Sequence, residues 1–185
     1  VTGLTNGTSY TFTVHATNAQ GDSVESSPSA SVTPATVPGA PTGASAVRGN
    51  GQATVSFTAP AANGGSAITG YTVTSSPGGT VAVCATTPCT VTGLTNGTAY
   101  TFTVRATNAV GTGAASSATS SVTPATVPSA PTGASAARGN GQAVVSFTAP
   151  AANGGSAITG YTATSSPGGI TATCATSPCT VTGLT

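Results

Sequence analysis

Lysine, methionine and tryptophan are absent from this 185-residue chain. Its charges are three arginines (Arg48, Arg105, Arg138) and two acids (Asp22, Glu25), with a single histidine, His15. Charged residues make up 3% of the sequence, against about 25% in an ordinary soluble domain. Such a surface has no basic patch with which to attract nucleic acid or anionic lipid. No run of 18 apolar residues occurs, so no membrane-spanning helix and no membrane insertion are expected. Proton transfer, nucleophilic attack and metal ligation all need titratable side chains. Residues 35–124 contain no acid, no histidine and no lysine, so no catalytic residue, cofactor site or metal site is expected there. The lack of lysine also excludes Lys–Asn isopeptide crosslinks.

What is present is repetition. Val-Thr-Gly-Leu-Thr begins at residues 1, 91 and 181, a period of ninety. Residues 35–95 and 125–185 align without a gap and differ at eight of 61 positions, and residues 1–34 and 91–124 differ at ten of 34. A fixed period of this size marks tandem copies of one small domain. The expected layout is a complete domain over 35–124, the C-terminal part of a copy over 1–34 and the N-terminal part of another over 125–185. The window is thus read as cutting a copy mid-way at each end, where a signal peptide would no longer be visible. Completion of the two part-copies is expected from the same long polypeptide, with strand exchange from a neighbouring chain as the alternative.

Within a copy, apolar and polar residues alternate, the pattern of half-buried strands. In Tyr100-Thr-Phe102-Thr-Val104-Arg-Ala106 the odd members of the run share one face and the threonines the other. The same alternation runs through Ala53–Thr58 and Tyr71–Thr74. Turn signals separate the runs: Asn50-Gly51, Asn63-Gly64-Gly65, Pro77-Gly78-Gly79 and Asn96-Gly97. No stretch has a helical period. About seven short strands per ninety residues predict an all-β sandwich.

The four cysteines form two copies of one motif, Cys84-Ala-Thr-Thr-Pro-Cys89 and Cys174-Ala-Thr-Ser-Pro-Cys179. An even count at identical spacing reads as one local disulfide per copy, and hence as an exported, extracellular protein. A metal site would need about four ligands, and the lone His15 gives way to Arg105 in the next copy.

Several motifs together resemble the fibronectin type III domain of bacterial extracellular proteins. They are Val-Pro-Gly-Ala-Pro at 37–41, Val55-Ser-Phe57-Thr-Ala-Pro60, Ile68-Thr-Gly70-Tyr71, Val91-Thr-Gly93-Leu94, Asn96-Gly97-Thr98-Ala-Tyr100 and Arg105-Ala-Thr107-Asn108-Ala-Val-Gly111. The resemblance implies tandem seven-stranded, immunoglobulin-like sandwiches. Their strands would be A (43–48), B (52–59), C (68–75), C′ (80–84), E (89–93), F (100–108) and G (114–122). Leu94 and Tyr100, with Tyr10 in the first part-copy, would form the corner entering strand F. The core aromatics would be Phe57, Tyr71 and Phe102, with Phe147, Tyr161 and Phe12 in the part-copies. Phe57 and Phe147 stand where the family usually has tryptophan. Cys84–Cys89 would bridge C′ to E, where the chain crosses between sheets.

These readings lead to a structural array: a stalk, spacer or extracellular filament on a secreted or surface-attached protein, with neighbouring copies of the same domain as its partners. The alternative is a spacer or weak carbohydrate- or adhesion-binding module inside a larger exported enzyme or adhesin, with a glycan or cell-surface ligand. Copy-to-copy variation gathers at 20–25 against 110–115, as a binding loop or an unconstrained loop tip would show. Asp22 and Glu25 lie there, and they read as solvated acids ahead of a cation site. His15 reads as solvent-facing. Asn6-Gly-Thr8 and Asn96-Gly-Thr98 match the N-glycosylation pattern, but they also serve as turns. The proline-rich joins at 33–41 and 123–131 predict a stiff connection.

Overall fold

Threonine carries the exposed face of these strands because it is β-branched yet polar, while the alternate apolar side chains leave water. The computed structural model describes all of residues 1–185 and contains strands but no helix. In chain order the strands are β1 (Thr17–Asn18), β2 (Gly21–Asp22), β3 (Thr42–Arg48), β4 (Gln52–Thr58), β5 (Ile68–Ser76), β6 (Val81–Cys84) and β7 (Cys89–Thr92). They continue as β8 (Thr101–Asn108), β9 (Thr112–Ala115), β10 (Thr132–Gly139), β11 (Gln142–Thr148), β12 (Tyr161–Thr164), β13 (Thr171–Cys174) and β14 (Cys179–Thr182).

Contacts divide the chain into two compact units that cut across the ninety-residue repeat. The first comprises Val1–Val47, Ala53–Thr92 and Tyr100–Val122, and the second Arg48–Gln52, Gly93–Ala99 and Thr123–Thr185. In the first unit, a three-stranded sheet in the order β3-β4-β7 faces a four-stranded sheet in the order β6-β5-β8-β9. Ala53, Val55 and Phe57 of β4 point into the space between them, as do Tyr71 and Val73 of β5 and Phe102, Val104 and Ala106 of β8. Register places Val73 opposite Val104 and Tyr71 opposite Ala106. Across the gap the Phe57 and Tyr71 rings meet at 4.8 Å with a 54° tilt, an arrangement their quadrupoles favour. The second unit contains the sheets β10-β11-β14 and β12-β13, and there Phe147 meets Tyr161 at 4.7 Å.

The last strand departs from expectation. Its ladder covers Thr112–Ala115 instead of 114–122, and only an isolated bridge, Tyr100 to Val122, follows. Between these points Ser116, Thr119 and Val122 donate their N–H groups to the carbonyls of Val104, Phe102 and Tyr100. The outer segment therefore advances three residues for every two of its partner and is too contracted for regular pairing. Hydroxyls make up the missing acceptors: the Val104 N–H donates to Ser116 Oγ (3.0 Å) and the Phe102 N–H to Thr119 Oγ1 (3.1 Å). The first copy repeats the device, with Val14 N–H on Ser26 Oγ and Phe12 N–H on Ser29 Oγ. Replacing Thr119, which is 5% exposed, with isosteric valine leaves the Phe102 N–H without that acceptor. Urea denaturation should then show a loss of about 1–3 kcal/mol. Ser120→Ala, at an exposed position, should stay within about 0.5 kcal/mol. Equal losses for the two variants would refute the role given to the Thr119 hydroxyl.

Candidate functional site

The structure pairs Cys84 with Cys89 and Cys174 with Cys179, at Cα separations of 5.8 and 5.5 Å, and leaves no free cysteine. Cys84 ends β6 and Cys89 begins β7, so the first disulfide ties one sheet of the sandwich to the other. The loop it closes has a second task. Thr87 Oγ1 accepts the Phe57 N–H (3.1 Å), and Ser177 Oγ accepts the Phe147 N–H (2.9 Å). Threonine and serine differ between the copies here, yet both supply the hydroxyl that the strand end requires.

Leu94 is buried, and its N–H donates to the Gly51 carbonyl (2.9 Å). Tyr100 is buried at the start of the β8 run and bridges to Val122. In the first copy the Tyr10 hydroxyl accepts the Thr5 N–H (3.0 Å), and this backbone bond holds the phenol below its usual pKa. Phe57, Tyr71 and Phe102 are buried, while Phe12, Phe147 and Tyr161 are half-buried. A cavity of about 600 Å³ is lined by Val145, Phe147, Ile158, Tyr161 and Ala163. Phe57, Tyr71 and Val73, the counterparts of Phe147, Tyr161 and Ala163, lie buried in the sandwich core of the first unit. The cavity is therefore an apolar strand face, not a ligand pocket with convergent polar groups.

The only histidine and the only two acids converge on one patch. His15 Nδ1 lies 2.8 Å from Glu25 Oε1, and His15 Nε2 lies 4.0 Å from Asp22 Oδ1. Sequence reading places the two acids in one loop and His15 apart from them as a solvent-facing residue, and misses their meeting because it depends on how the two chain segments pair. The three side chains are about half exposed (45%, 54% and 61%), and they form no group able to hold a metal ion. The bond to His15, with a lesser one to Thr13, holds the Glu25 carboxyl below the usual carboxylate range. A lowered carboxylate pKa adds stability above the unfolded-state value, and that contribution fades as pH falls through the lowered folded value. In an NMR titration, His15→Ala should move the Glu25 side-chain midpoint upward. An unmoved midpoint would show that the pairing does not form in solution.

Two asparagines, Asn96 read from sequence as a turn residue and Asn108 as part of a motif, organise the loops through bonds that sequence does not show. Asn108 is 4% exposed and uses its whole side-chain amide. Nδ2 donates to the carbonyls of Thr36 and Asn63 (2.8 Å each), and Oδ1 accepts the N–H groups of Val110 and Gly111. Asn96 Oδ1 accepts the Gly51 N–H, and its Nδ2 donates to Asn50 Oδ1 (2.8 Å each). The nitrogen that a glycan would occupy is thus already engaged.

Two facing antiparallel sheets with a crossing between them define an immunoglobulin-like β-sandwich. Residues 39–123 match the family model described as the Fibronectin type III domain. A 119-residue stretch, 60% of the chain, is 40% identical to Chitinase A1 of Niallia circulans and spans 17% of that protein. A 141-residue stretch, 69% of the chain, is 41% identical to Endoglucanase B of Cellulomonas fimi and spans 13% of it. The matched region is therefore under a fifth of either relative's length. Among solved structures, a multidomain segment of titin superposes with a TM-score of 0.51 at 26% identity, covering 65% of this chain and 42% of that one.

Proposed function

We propose that the chain is a spacer module of a larger exported glycan-cleaving enzyme, in preference to the free-standing stalk or filament that repetition alone suggests. The supporting observation is the likeness to two enzymes, named as a chitinase and an endoglucanase, of which it occupies 17% and 13%. On this reading the neighbouring copies, divided at 34/35 and 124/125, are its structural partners. The enzyme's activity resides in another domain.

Two features favour spacing over catalysis or binding. Glycoside hydrolysis ordinarily uses a carboxyl pair, one of them with a raised pKa. This chain's only acids are Asp22 and Glu25, and Glu25 is shifted the opposite way. A face that grips polysaccharide needs broad apolar area against the sugar rings, which aromatic side chains supply best. Here no tyrosine or phenylalanine stands exposed. The disulfides agree with an oxidising, extracellular setting.

The test is a zymogram of the native secreted protein, blotted with an antibody raised against this chain. The spacer reading expects the antibody band to coincide with a cleared zone in a chitin or cellulose overlay. A band without clearing would return the stalk reading. Retention of the isolated chain on insoluble chitin or cellulose would favour a binding module instead.

A further inference from the structure

Sequence predicts stiff proline-rich joins, and the structure also ties them down on both sides. In the first compact unit, the Gly7 N–H donates to the Pro34 carbonyl (2.9 Å) and the Thr36 N–H to the Gly64 carbonyl (2.8 Å). Gly7 belongs to the copy before the linker and Gly64 to the copy after it. In the second unit the same two bonds recur ninety residues on: Gly97 N–H to Pro124 carbonyl (2.9 Å) and Thr126 N–H to Gly154 carbonyl (2.8 Å). There the Ala125 N–H also donates to the Gly49 carbonyl (3.1 Å).

At each join the backbones themselves touch. A Cβ placed on Gly65 would overlap the Gly7 nitrogen and lie 2.7 Å from the Asn6 carbonyl carbon. A Cβ on Gly155 would overlap the Gly97 nitrogen and lie 2.7 Å from the Asn96 carbonyl carbon. Gly65 and Gly155 also have φ near +82° and +87°, which L side chains rarely adopt. The grouping of Arg48–Gln52 and Gly93–Ala99 with residues 123–185 has the same origin, since turns of one copy contact the next.

We infer that each copy docks on the next through this glycine-on-glycine contact. The Asn-Gly-Thr turn before the linker seats on the Asn-Gly-Gly loop after it, and the linker is one member of a fixed joint. The surface at 63–65 is thus a docking site whose partner is residues 6–8 of the preceding copy, and 153–155 receives 96–98 in the same way. The joint deepens the spacer reading and rests on it only for its use, because a floppy linker would still leave a spacer.

Amide hydrogen exchange on the whole chain tests the joint without reference to any enzyme. The N–H groups of Gly7, Thr36, Gly97 and Thr126 should exchange at least about tenfold more slowly than in an unfolded chain, the weight of one net backbone hydrogen bond. Free exchange at these four positions in the unmutated chain would overturn the inference, even if neither variant folds. The double change Gly65→Ala with Gly155→Ala should abolish that protection. Gly78→Ala imposes a similar backbone demand (φ +86°) with nothing within 4 Å of the new methyl, and should leave the four amides protected. Protection retained in the double variant would also count against the joint.

Discussion

Phe102→Ala should cost about 3–5 kcal/mol, the range for emptying a buried aromatic position. Phe102 is 1% exposed on β8, a strand flanked by β5 on one side and β9 on the other. Its ring stacks at 6.5 Å on Tyr100. Neighbours paired on both edges of the strand leave little freedom to collapse into the void, which argues for the upper part of that range. A domain of this size typically holds 5–15 kcal/mol in total, so the loss would shift the unfolding midpoint by about 15 °C or more. Urea titration of the chain should show a lower midpoint with an unchanged slope, the sign of lost stability with an intact fold. Val81→Ala, at a residue 57% exposed, should cost under about 1 kcal/mol. A Phe102→Ala loss no larger than that of Val81→Ala would mean that the two sheets do not close over Phe102 in solution.

Reducing the Cys84–Cys89 disulfide should lower the melting temperature of the sandwich it spans by about 10 °C. The chain-entropy contribution of so short a loop is about 2 kcal/mol, and each kcal/mol moves a domain of this size by about 4–8 °C. The bond joins β6 to β7 where the chain passes from one sheet to the other. Its loop also presents Thr87 to the Phe57 N–H, so loosening the loop puts a second interaction at risk. Scanning calorimetry with and without reductant gives the comparison, and the double variant Cys84→Ala with Cys89→Ala should reproduce the reduced curve. Identical curves would show that the strand pairing alone holds the crossing.

Much of the architecture was legible because its cause is local. Alternation from Tyr100 to Ala106 dictates a half-buried strand whatever lies beside it, and Phe102, Val104 and Ala106 do lie in the core. Asn50-Gly51 and Pro77-Gly78-Gly79 mark turns by their own backbone preferences. The end of the outer strand was not legible. Ser116 and Thr119 look like ordinary strand residues until their hydroxyls are seen accepting N–H groups from Val104 and Phe102. The recurrence of hydroxyls at 26, 29, 116 and 119 was the available signal.

The repeat, the all-β class and the strand faces follow from the sequence, since composition, period and alternation are properties of the chain alone. Only the tertiary structure decided three further matters: that His15, Glu25 and Asp22 share one patch, that Asn108 binds the linker to two loops, and that Gly65 and Gly155 receive the turn before each linker. Each depends on groups distant in sequence arriving within a few ångströms. Residue spacing carries no record of that approach, because the packing of sheets and copies sets it.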